Sequence, residues 1–558
     1  MGVLDVNGQN DQIRVKNTSQ MMGMFLSELS IEVSRLTQQL DEDPTQFENV
    51  ENRVHELFNR GAGLFLSGIL AEVMQTEKHK QRGDNVRNDY AIPLRSGQDR
   101  KIRISLGSGF SCDATTRYCQ PATSSHDKSD SIPGIDVELS LFGFSAGNAP
   151  RLVSKVVRGA ALCQSLEQAR KELQRDGIHV SQEEQRGIVY QFGRELLTVR
   201  ERLMEQFERG EMTAGNEFAG KTVSIQIDGG RTRTRSDIKP IDPVENFAKT
   251  QSEATGRDSL GRSKETKRKG TYDTEWKEPK LFKIYVHDDD GRVDQKFEER
   301  IDGSFGDANQ IERLLAMRMY QLGVHRAESI TFNSDGAKWI WDRIDSILTR
   351  AKVPSTVLIF KILDVYHAAE NLNKGIKALG KCPAKAIPAD ANAPSTLPAP
   401  VTHQEVLSFS KLRSELRDGL WRQVVDQLES ASRQSSKHVD YDSKEVSRVI
   451  EYLRKHGQAG HMDYPKYSML GLPLGSGPIE SVVRRVVNLR MKGNGLFWKL
   501  DNAECMLAIR SSIVSDRWDE DHARVNMEML KNRKLAFPKP KKKRSALSDA
   551  EQRSAQTQ

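Results

Sequence analysis

Apolar residues follow a helical spacing near the start of the chain and a strand-like pattern from residue 221 onward. Phe25, Leu29 and Leu36 share one helical stripe, and a second stripe runs from Leu57 to Val73. After residue 221, short apolar segments either alternate with polar residues or run without interruption. The pattern therefore predicts a helical region over residues 1–80 and a sheet-forming domain further along the chain.

Strands and helices alternate within the predicted sheet-forming domain. Val223, Ile225 and Ile227 alternate with polar residues, so Asp228 ends that strand on the opposite face. The predicted order is a strand at 221–228, a strand at 280–287, a hairpin turn at 289–291 with a further strand, a helix at 307–322, a strand at 329–332, a helix ending near 347 and a strand at 356–363. This order predicts an α/β fold with a mixed sheet.

The sheet domain is predicted to be split by a helical insertion. Residues 383–400 are rich in alanine and proline, as in a linker, and residues 402–457 have helical periodicity. The predicted domains are a helical region at 1–80, a small irregular β-containing unit at 81–160, a helix-turn-helix region at 161–220, a sheet domain at 221–370 and 471–520, a helical insertion at 371–470 and a basic tail at 521–558.

Two capping signatures mark the predicted helix-turn-helix. Ser165 and Ser181 each precede a Gln or Glu by three residues, a spacing that opens a helix, and Gly177 is suited to end the first one. Arg186, in the second helix, is a candidate DNA contact. A helical hairpin without any DNA-binding role remains the alternative, because acidic residues at 183 and 184 would repel phosphates.

Charge and cysteine content restrict the class of protein. The 558 residues include 84 Lys and Arg against 77 Asp and Glu, a modest excess of +7, but residues 537–544 form a basic block. Such blocks are either solvated tails or nucleic-acid contacts. The five cysteines are scattered and odd in number, and no apolar run is long enough to span a membrane. We therefore expect a cytoplasmic protein without membrane association.

Three carboxylates lie where predicted elements begin or end. Asp228 and Asp335 each close a strand and each have a glycine beside them, and Glu480 follows the turn Gly475-Ser-Gly-Pro at the start of a helix. Two divalent ions held by such acids activate a water or a 3′ hydroxyl for phosphoryl transfer. Oxygen ligands suit Mg²⁺. The three acids are therefore candidate catalytic and metal-binding residues.

Basic and aromatic residues follow Glu480 along the chain. Arg484 lies one helical turn after it, and a surface pair between these two residues is the alternative to a catalytic role for Glu480. Trp498 suits either base stacking or the core. The candidate DNA contacts in this part of the chain and beside Asp228 are Arg231, Arg233, Arg484, Arg485, Arg490, Lys492 and Trp498.

Asp364 and His367 follow the last predicted strand directly. They are candidate auxiliary residues that would bind a metal or orient a phosphate. The alternative is a helix N-cap at Asp364 and an ordinary, hydrogen-bonded histidine. The residue pattern does not decide between these two interpretations.

Several of these segments together resemble bacterial insertion-sequence transposases of the DDE type, in particular the ISKra-like group. The matching segments are Ile227-Asp-Gly-Gly, Trp276-Lys-Glu-Pro-Lys, Asp335-Gly-Ala-Lys-Trp-Ile, Leu363-Asp-Val-Tyr-His-Ala, Gly475-Ser-Gly-Pro-Ile-Glu, Arg490-Met-Lys and Trp498. The resemblance covers roughly residues 160–520. It implies an RNase H-like catalytic domain with Asp228, Asp335 and Glu480 as the triad, and DNA binding by the region at 165–200.

The same resemblance implies cofactors and partners. We expect two Mg²⁺ ions, with Mn²⁺ as a substitute, double-stranded DNA of element ends and target, a homo-oligomer on DNA, and a place at the bacterial nucleoid. Relatives often have a cysteine-rich knuckle upstream, whereas here only Cys112 and Cys119 remain, at a spacing unlike a zinc site. The alternatives are a nuclease or resolvase without strand transfer, and a domesticated DNA-binding protein without catalysis.

Overall fold

The computed structural model divides the chain into two compact units, and we describe each separately. The first comprises Met1–Arg202 and Trp518–Gln558, and the second Leu203–Arg517. The structure describes residues 18–88, 94–95, 97–120, 134–237, 272–382, 401–402, 407–435 and 440–531. The predicted linker at 383–400 and the basic block at 537–544 lie outside the described residues.

The first unit begins with helices and continues with a small sheet. Its elements are α1 (Thr18–Glu42), α2 (Phe47–Gln75), α3 (Glu77–Asn88), β1 (Gln98–Ser105), β2 (Ser111–Cys119), β3 (Ile135–Asp136), α4 (Val137–Ser140), α5 (Pro150–Leu162), α6 (Leu166–Arg175) and the part of α7 (Gln182–Glu208) up to Arg202. The three strands form an antiparallel sheet in the order β1-β2-β3. Cys112 and Cys119 are buried on β2, and burial raises the pKa of Cys112 to about 11.

Helices α1 and α2 confirm the helical prediction for the N-terminal region. Phe25 is buried in the hairpin, and a Cβ on Gly61 would lie 2.4 Å from its ring, so Gly61 permits the close approach of the two helices. Phe58, which the periodicity assigns to the buried stripe, is instead 56% exposed. Fewer apolar residues of α2 are therefore buried than the sequence predicts.

Helices α6 and α7 have the predicted caps. The Ser165 hydroxyl accepts the Gln168 N–H at 3.0 Å, and the Ser181 hydroxyl accepts the Glu184 N–H at 3.1 Å. Gly177 between them has a φ of +74°. Because an L side chain is strained at this φ, glycine favours a sharp end to α6.

The second unit is built on a five-stranded mixed sheet. Its strands, with a separate two-stranded hairpin between the first two, are β4 (Thr222–Gly229), β5 (Thr232–Asp237), β6 (Tyr272–Lys277), β7 (Lys280–Val286), β8 (Arg300–Ser304), β9 (Ser329–Ser334) and β10 (Leu358–Leu363). The sheet order is β10-β9-β4-β7-β8, and β5 pairs with β6. Strands β10, β9 and β4 run parallel, while β7 and β8 run antiparallel to their neighbours. The predicted mixed α/β class is confirmed.

Helices pack against this sheet and follow it along the chain. They are α8 (Ala308–Leu322), α9 (Lys338–Trp341), α10 (Ile344–Arg350), α11 (Val365–Ala378), α12 (Phe409–Arg417), α13 (Trp421–Ser435), α14 (Ser443–Gln458), α15 (Tyr464–Met469), α16 (Gly477–Val483), α17 (Leu489–Met491) and α18 (Leu500–Val514). A two-stranded ladder joins Lys381–Cys382 to Val401–Thr402. None of the described helices is both long and apolar enough to cross a membrane.

The last helix, α19 (Trp518–Lys531), belongs to the first unit. Trp518 is buried there, and its indole N–H donates to the Ser154 hydroxyl at 2.9 Å. Residues 521–531, assigned from the sequence to the basic tail, therefore continue an ordered helix.

The core of the second unit lies around β4, the central strand. Val223, Ile225 and Ile227 pack on one face with apolar residues of α8. Ser224 and Gln226, on the other face, are also fully buried. Strand β10, predicted as a buried strand, is instead at the edge of the sheet, with Leu358 60% exposed.

One local irregularity changes the predicted phase of the helix that contains Glu480. Residues Arg484–Asn488 form a π-helical turn between α16 and α17. The wider turn adds residues per revolution, so positions beyond it rotate around the axis. Leu489, whose spacing from Ile479, Val482 and Val486 would continue the apolar face of the helix, is 57% exposed, whereas Arg490 is only 4% exposed.

Candidate active site

Asp228 and Asp335 lie at the ends of adjacent parallel strands. Strands β4 and β9 pair with Gln226 opposite Asn333, and the same register two residues further on places Asp228 opposite Asp335. The Ser334 hydroxyl donates to the Ile227 carbonyl at 3.1 Å and joins the strands at this point. The structure therefore brings together the two aspartates that the sequence singled out.

The turn after Asp335 is fixed by several contacts. Its Oδ1 accepts the Ala337 N–H at 2.9 Å, and the Tyr452 hydroxyl donates to its carbonyl at 3.0 Å. Gly336 has a φ of +87°, and a Cβ there would lie 2.7 Å from the Tyr452 ring. Glycine is required at this position both for its backbone conformation and for its lack of a side chain.

The electrostatic environment of Asp228 shows that acidic groups converge here. The pKa of Asp228 is raised to about 6, chiefly by burial and in smaller part by the charges of Asp335 and Glu480. The Gly229 N–H, which donates to its Oδ1 at 2.7 Å, opposes this increase, as does His367. The charges of Asp335 and Glu480 therefore both act on Asp228 at the end of β4.

Glu480 comes to this place from the first turn of α16. Its Oε1 is 3.4 Å from the Ser476 hydroxyl and 3.7 Å from Nε2 of His367, and its side chain is 56% exposed. Among the ion pairs of the described residues, Glu480 has no pair with Arg484. The surface pair considered from the sequence is therefore not formed in this conformation.

The loop before α16 is hydrogen-bonded to the sheet. The amide of Gln226 donates to the Gly475 carbonyl and accepts the Ile479 N–H, both at 3.0 Å. Asn333 donates to the Pro473 carbonyl at 3.0 Å. Two buried amide side chains, on the same strands as Asp228 and Asp335, thus position the helix that contains Glu480.

Asp364 and His367 belong to the same region but differ in role. Asp364 is fully buried; its Oδ1 accepts the N–H groups of Tyr366 and His367 at 2.6 and 2.8 Å, and its Oδ2 accepts the Ser476 N–H. Asp364 therefore acts as a helix cap, one of its two interpretations from the sequence, and both of its carboxylate oxygens accept hydrogen bonds from backbone N–H groups. His367 lies between Glu480 and Glu370, whose Oε2 is 3.5 Å from its Nδ1.

The candidate DNA contacts divide into exposed and interior residues. Arg231, Arg233, Arg484, Lys492 and, in the first unit, Arg186 are exposed. Arg485 pairs with Glu299 at 2.9 Å. Arg490 and Trp498 are buried together, with the guanidinium 5.2 Å from the ring centre, and the indole N–H donates to the Met491 carbonyl at 3.0 Å. Trp498 thus has the core position that was one of its two interpretations.

Carboxylate oxygens are suitable ligands for a hard divalent ion at this site. Among the described residues, no three His, Cys, Asp or Glu side chains are gathered closely enough as they stand to hold one ion. The donor set of Asp228, Asp335 and Glu480 nevertheless has the oxygen chemistry that suits Mg²⁺. A bound cation would relieve the repulsion by Asp335 and Glu480, which adds to burial in raising the Asp228 pKa.

Some residues that build the site were not identified from the sequence. Gln226, Asn333, Tyr452 and Ser476 position the acids without any local motif of their own. A polar residue within an apolar strand, as at Gln226 and Asn333, is a usable signal, because a buried amide requires partners. Tyr452 is more than a hundred residues from Asp335, and no local pattern links the two.

The sequence matches no protein-family model and no curated protein.

Proposed function

We propose that this chain is a DDE-type transposase that binds insertion-sequence ends and cuts and joins DNA there. The carrying observation is the convergence of Asp228 and Asp335, on adjacent parallel strands, with Glu480 from a helix bonded to those strands. Phosphoryl-transfer sites with two metal ions use such converging carboxylates.

The sheet topology supports an RNase H-like catalytic domain. Three antiparallel strands, β4, β7 and β8, are extended on the β4 side by β9 and β10, both parallel to β4. The first and fourth strands of such a sheet are central neighbours, which places their ends side by side. The helices between residues 409 and 469 then correspond to an insertion before the third acid.

The roles of the residues follow from their positions. Asp228, Asp335 and Glu480 would hold two Mg²⁺ ions, or Mn²⁺ in their place. Bound there, such ions supply a lowered pKa for the attacking water or 3′ hydroxyl and neutralise charge on the departing oxygen. His367 contacts Glu480 and orients it, and Asp364 fixes the turn from which Glu480 begins.

The proposal includes double-stranded DNA and a second copy of the chain as partners. Helices α6 and α7, with Arg186 exposed, suit the helix-turn-helix role, and Arg231, Arg233, Arg484 and Lys492 supply positive charge in the second unit. A homo-oligomer on DNA in the bacterial cytoplasm, at the nucleoid, belongs to the same proposal.

A plasmid-cleavage experiment tests the proposal. Wild type, Asp335→Ala and Asp342→Ala are incubated with a supercoiled plasmid that contains the flanking element ends, with and without Mg²⁺. Asp342 is a solvent-accessible acid paired with Lys338, and it serves as the matched control. We expect metal-dependent nicking by wild type and the control, and none by Asp335→Ala, although all three bind DNA.

The other outcomes separate the alternatives. Equal nicking by wild type and Asp335→Ala would remove the triad assignment. Nicking without joined products would indicate a nuclease or resolvase. DNA binding without nicking by any variant, in Mg²⁺ or Mn²⁺, would indicate a non-catalytic DNA-binding protein.

A further inference from the structure

The hairpin of β5 and β6 has one face rich in arginine. Side chains alternate along a strand, so Arg233 and Arg235 of β5 point to one side, and Thr232 and Thr234, which are buried, point to the other. Arg233 is directly opposite Trp276 in the register, which places Trp276 on the arginine face. This face therefore combines two arginines with one tryptophan.

The two faces of the hairpin differ in the residues that β6 contributes around Trp276. Glu275 is on the alternate side of β6 from Trp276, and Lys277 pairs with it at 3.1 Å. The separation leaves the arginine face without a carboxylate from the neighbouring positions of β6. A surface of this kind attracts a phosphate backbone.

Several hydrogen bonds fix the hairpin to the loop that follows α17. The Thr232 hydroxyl donates to the Met491 carbonyl at 2.6 Å. The backbone N–H of Trp498 donates to the Arg233 carbonyl at 3.0 Å, and the backbone N–H of Arg235 donates to the Trp498 carbonyl at 2.8 Å. The described part of the hairpin is thus held by the chain that directly follows the Glu480 helix.

Trp276 is the exposed aromatic residue on this supported surface. Its side chain is 51% exposed, the Arg233 guanidinium is 4.9 Å from its ring centre, and the same guanidinium is 5.9 Å from the Phe497 ring. A tryptophan that stays exposed does not contribute the stabilisation that burial of its large ring would provide. An exposed ring beside arginine on a fixed backbone is the arrangement on which nucleic-acid bases stack.

The arginine face of the hairpin is close along the chain to the acidic residues of the candidate active site. Arg233 is five residues after Asp228, so their Cα atoms are at most about 17 Å apart. Pro279, three residues after Trp276, accepts the Gly230 N–H at 2.9 Å, which joins the base of the hairpin to the end of β4. A DNA strand held at the acids would pass within a few nucleotides of Trp276.

We propose that Trp276, with Arg233 and Phe497 beside it, is a stacking platform for an unpaired base of the DNA strand held at the acidic site. The inference rests on the proposed function for the identity of the strand, and it adds a residue that recognises unpaired DNA. Duplex DNA, whose bases are already stacked on one another, would gain nothing from this ring.

The test compares binding to blunt duplex DNA and to the same duplex with a short single-stranded overhang. Wild type, Trp276→Ala, Trp276→Phe and the exposed control Phe47→Ala are titrated by fluorescence anisotropy, with 2-aminopurine placed in the overhang as a reporter of stacking. Thermal unfolding of each variant verifies that the fold is retained.

We expect Trp276→Ala to weaken overhang binding about 5- to 100-fold and to abolish the 2-aminopurine quenching. Trp276→Phe should retain most of both, and blunt-duplex affinity should not change. Equal overhang affinity and quenching in wild type and Trp276→Ala would overturn the proposal. Equal weakening on both DNAs would also overturn it, because the residue would then act through general charge or folding.

The outcome is separable from that of the proposed function. If overhang binding depends on Trp276 but the protein never nicks the plasmid, the proposed stacking role is supported and the proposed transposase function is contradicted. If nicking depends on Asp335 but overhang binding does not depend on Trp276, the proposed transposase function is supported and the proposed stacking role is contradicted.

Discussion

The buried carboxylate of Asp364 accepts the N–H of Ser476, which is 112 residues further along the chain. The same carboxylate caps the helix that begins at Val365, where His367 lies in the first turn. One side chain therefore fixes both the helix of His367 and the turn that leads to Glu480. The contact between His367 and Glu480 therefore depends on the side chain of Asp364.

Asp364→Asn should destabilise the protein although asparagine is a good helix cap. An amide has one acceptor oxygen, so its NH₂ group would face either the cap donors or the Ser476 N–H, each of which now contacts a carboxylate oxygen. We expect the free energy of unfolding to fall by about 2 kcal/mol, measured by urea denaturation. Asp442→Asn is the control, because the Asp442 cap uses one oxygen, and a change within about 0.5 kcal/mol is expected. Equal stability of the two variants would contradict this account.

Gly336→Ala should disturb the turn that presents Asp335. The substitution forces an L side chain to a φ of +87° and brings its Cβ within 2.7 Å of the Tyr452 ring. We expect a loss of about 2 kcal/mol or more in the free energy of unfolding, together with reduced nicking. Gly493→Ala is the control, since the nearest atom to its Cβ would be 3.9 Å away. If the two alanine variants unfold at the same urea concentration, Gly336 is not constrained as described.

Glu480→Gln should remove activity without loss of DNA binding. Glutamine has nearly the same shape but no charge, so we expect nicking to slow by about a hundredfold or more while DNA affinity is retained. Glu370→Gln is matched to it, because Glu370 also contacts His367 from an exposed position. Rates of plasmid nicking would be compared for the two variants. Similar rates would mean that Glu480 is one of two interchangeable surface acids around His367.

His456 and His461 should make the protein less stable in acid. Their Nδ1 atoms are 3.0 Å apart, and Trp341 stacks on His461 at 4.3 Å. Burial, with the charges of His461 and Lys455, lowers the pKa of His456 to about 3. Burial, with the charges of Lys361 and Lys455, lowers the pKa of His461 to about 4. The unfolded chain takes up protons near pH 6.5 and the folded protein does not. The stabilisation is therefore complete above pH 6.5 and is lost progressively as the pH falls.

Urea denaturation of wild type and His461→Gln at several pH values tests this effect. Each histidine should cost about 2 kcal/mol between pH 7 and pH 5. The variant should lose correspondingly less stability over the same interval. A parallel fall in both proteins would show that His461 is not the titrating group.

The aspartates were predictable because strand ends are visible in sequence. Alternation reveals β4, and an apolar run followed by Asp-Gly reveals the end of β9, so Asp228 and Asp335 could be assigned to the sheet before the structure was known. Glu480 was predicted from its turn and helix start alone. Its approach to the aspartates depends on Gln226 and Asn333, whose partners are distant in the sequence.

Periodicity failed where local geometry or sheet position changed. The π-helical turn after Glu480 shifts the phase, so Leu489 and Arg490 exchange the environments expected of them. Leu358 reads as part of a buried strand because its segment is apolar, yet strand order, which sets exposure, is not encoded locally. Trp276 and Trp498 are both tryptophans near basic residues, and only the tertiary structure distinguishes the exposed ring from the buried one.

The hydrogen bond between Gln226 and Ile479 also has a consequence for biosynthesis. The two residues are 253 positions apart, which a ribosome covers in about 13 to 50 s. Throughout this interval the Gln226 amide lacks its partners Gly475 and Ile479, so the nascent chain has no complete acidic site. If the proposed function holds, a new molecule would become competent to cut DNA only after Ile479 has been synthesised.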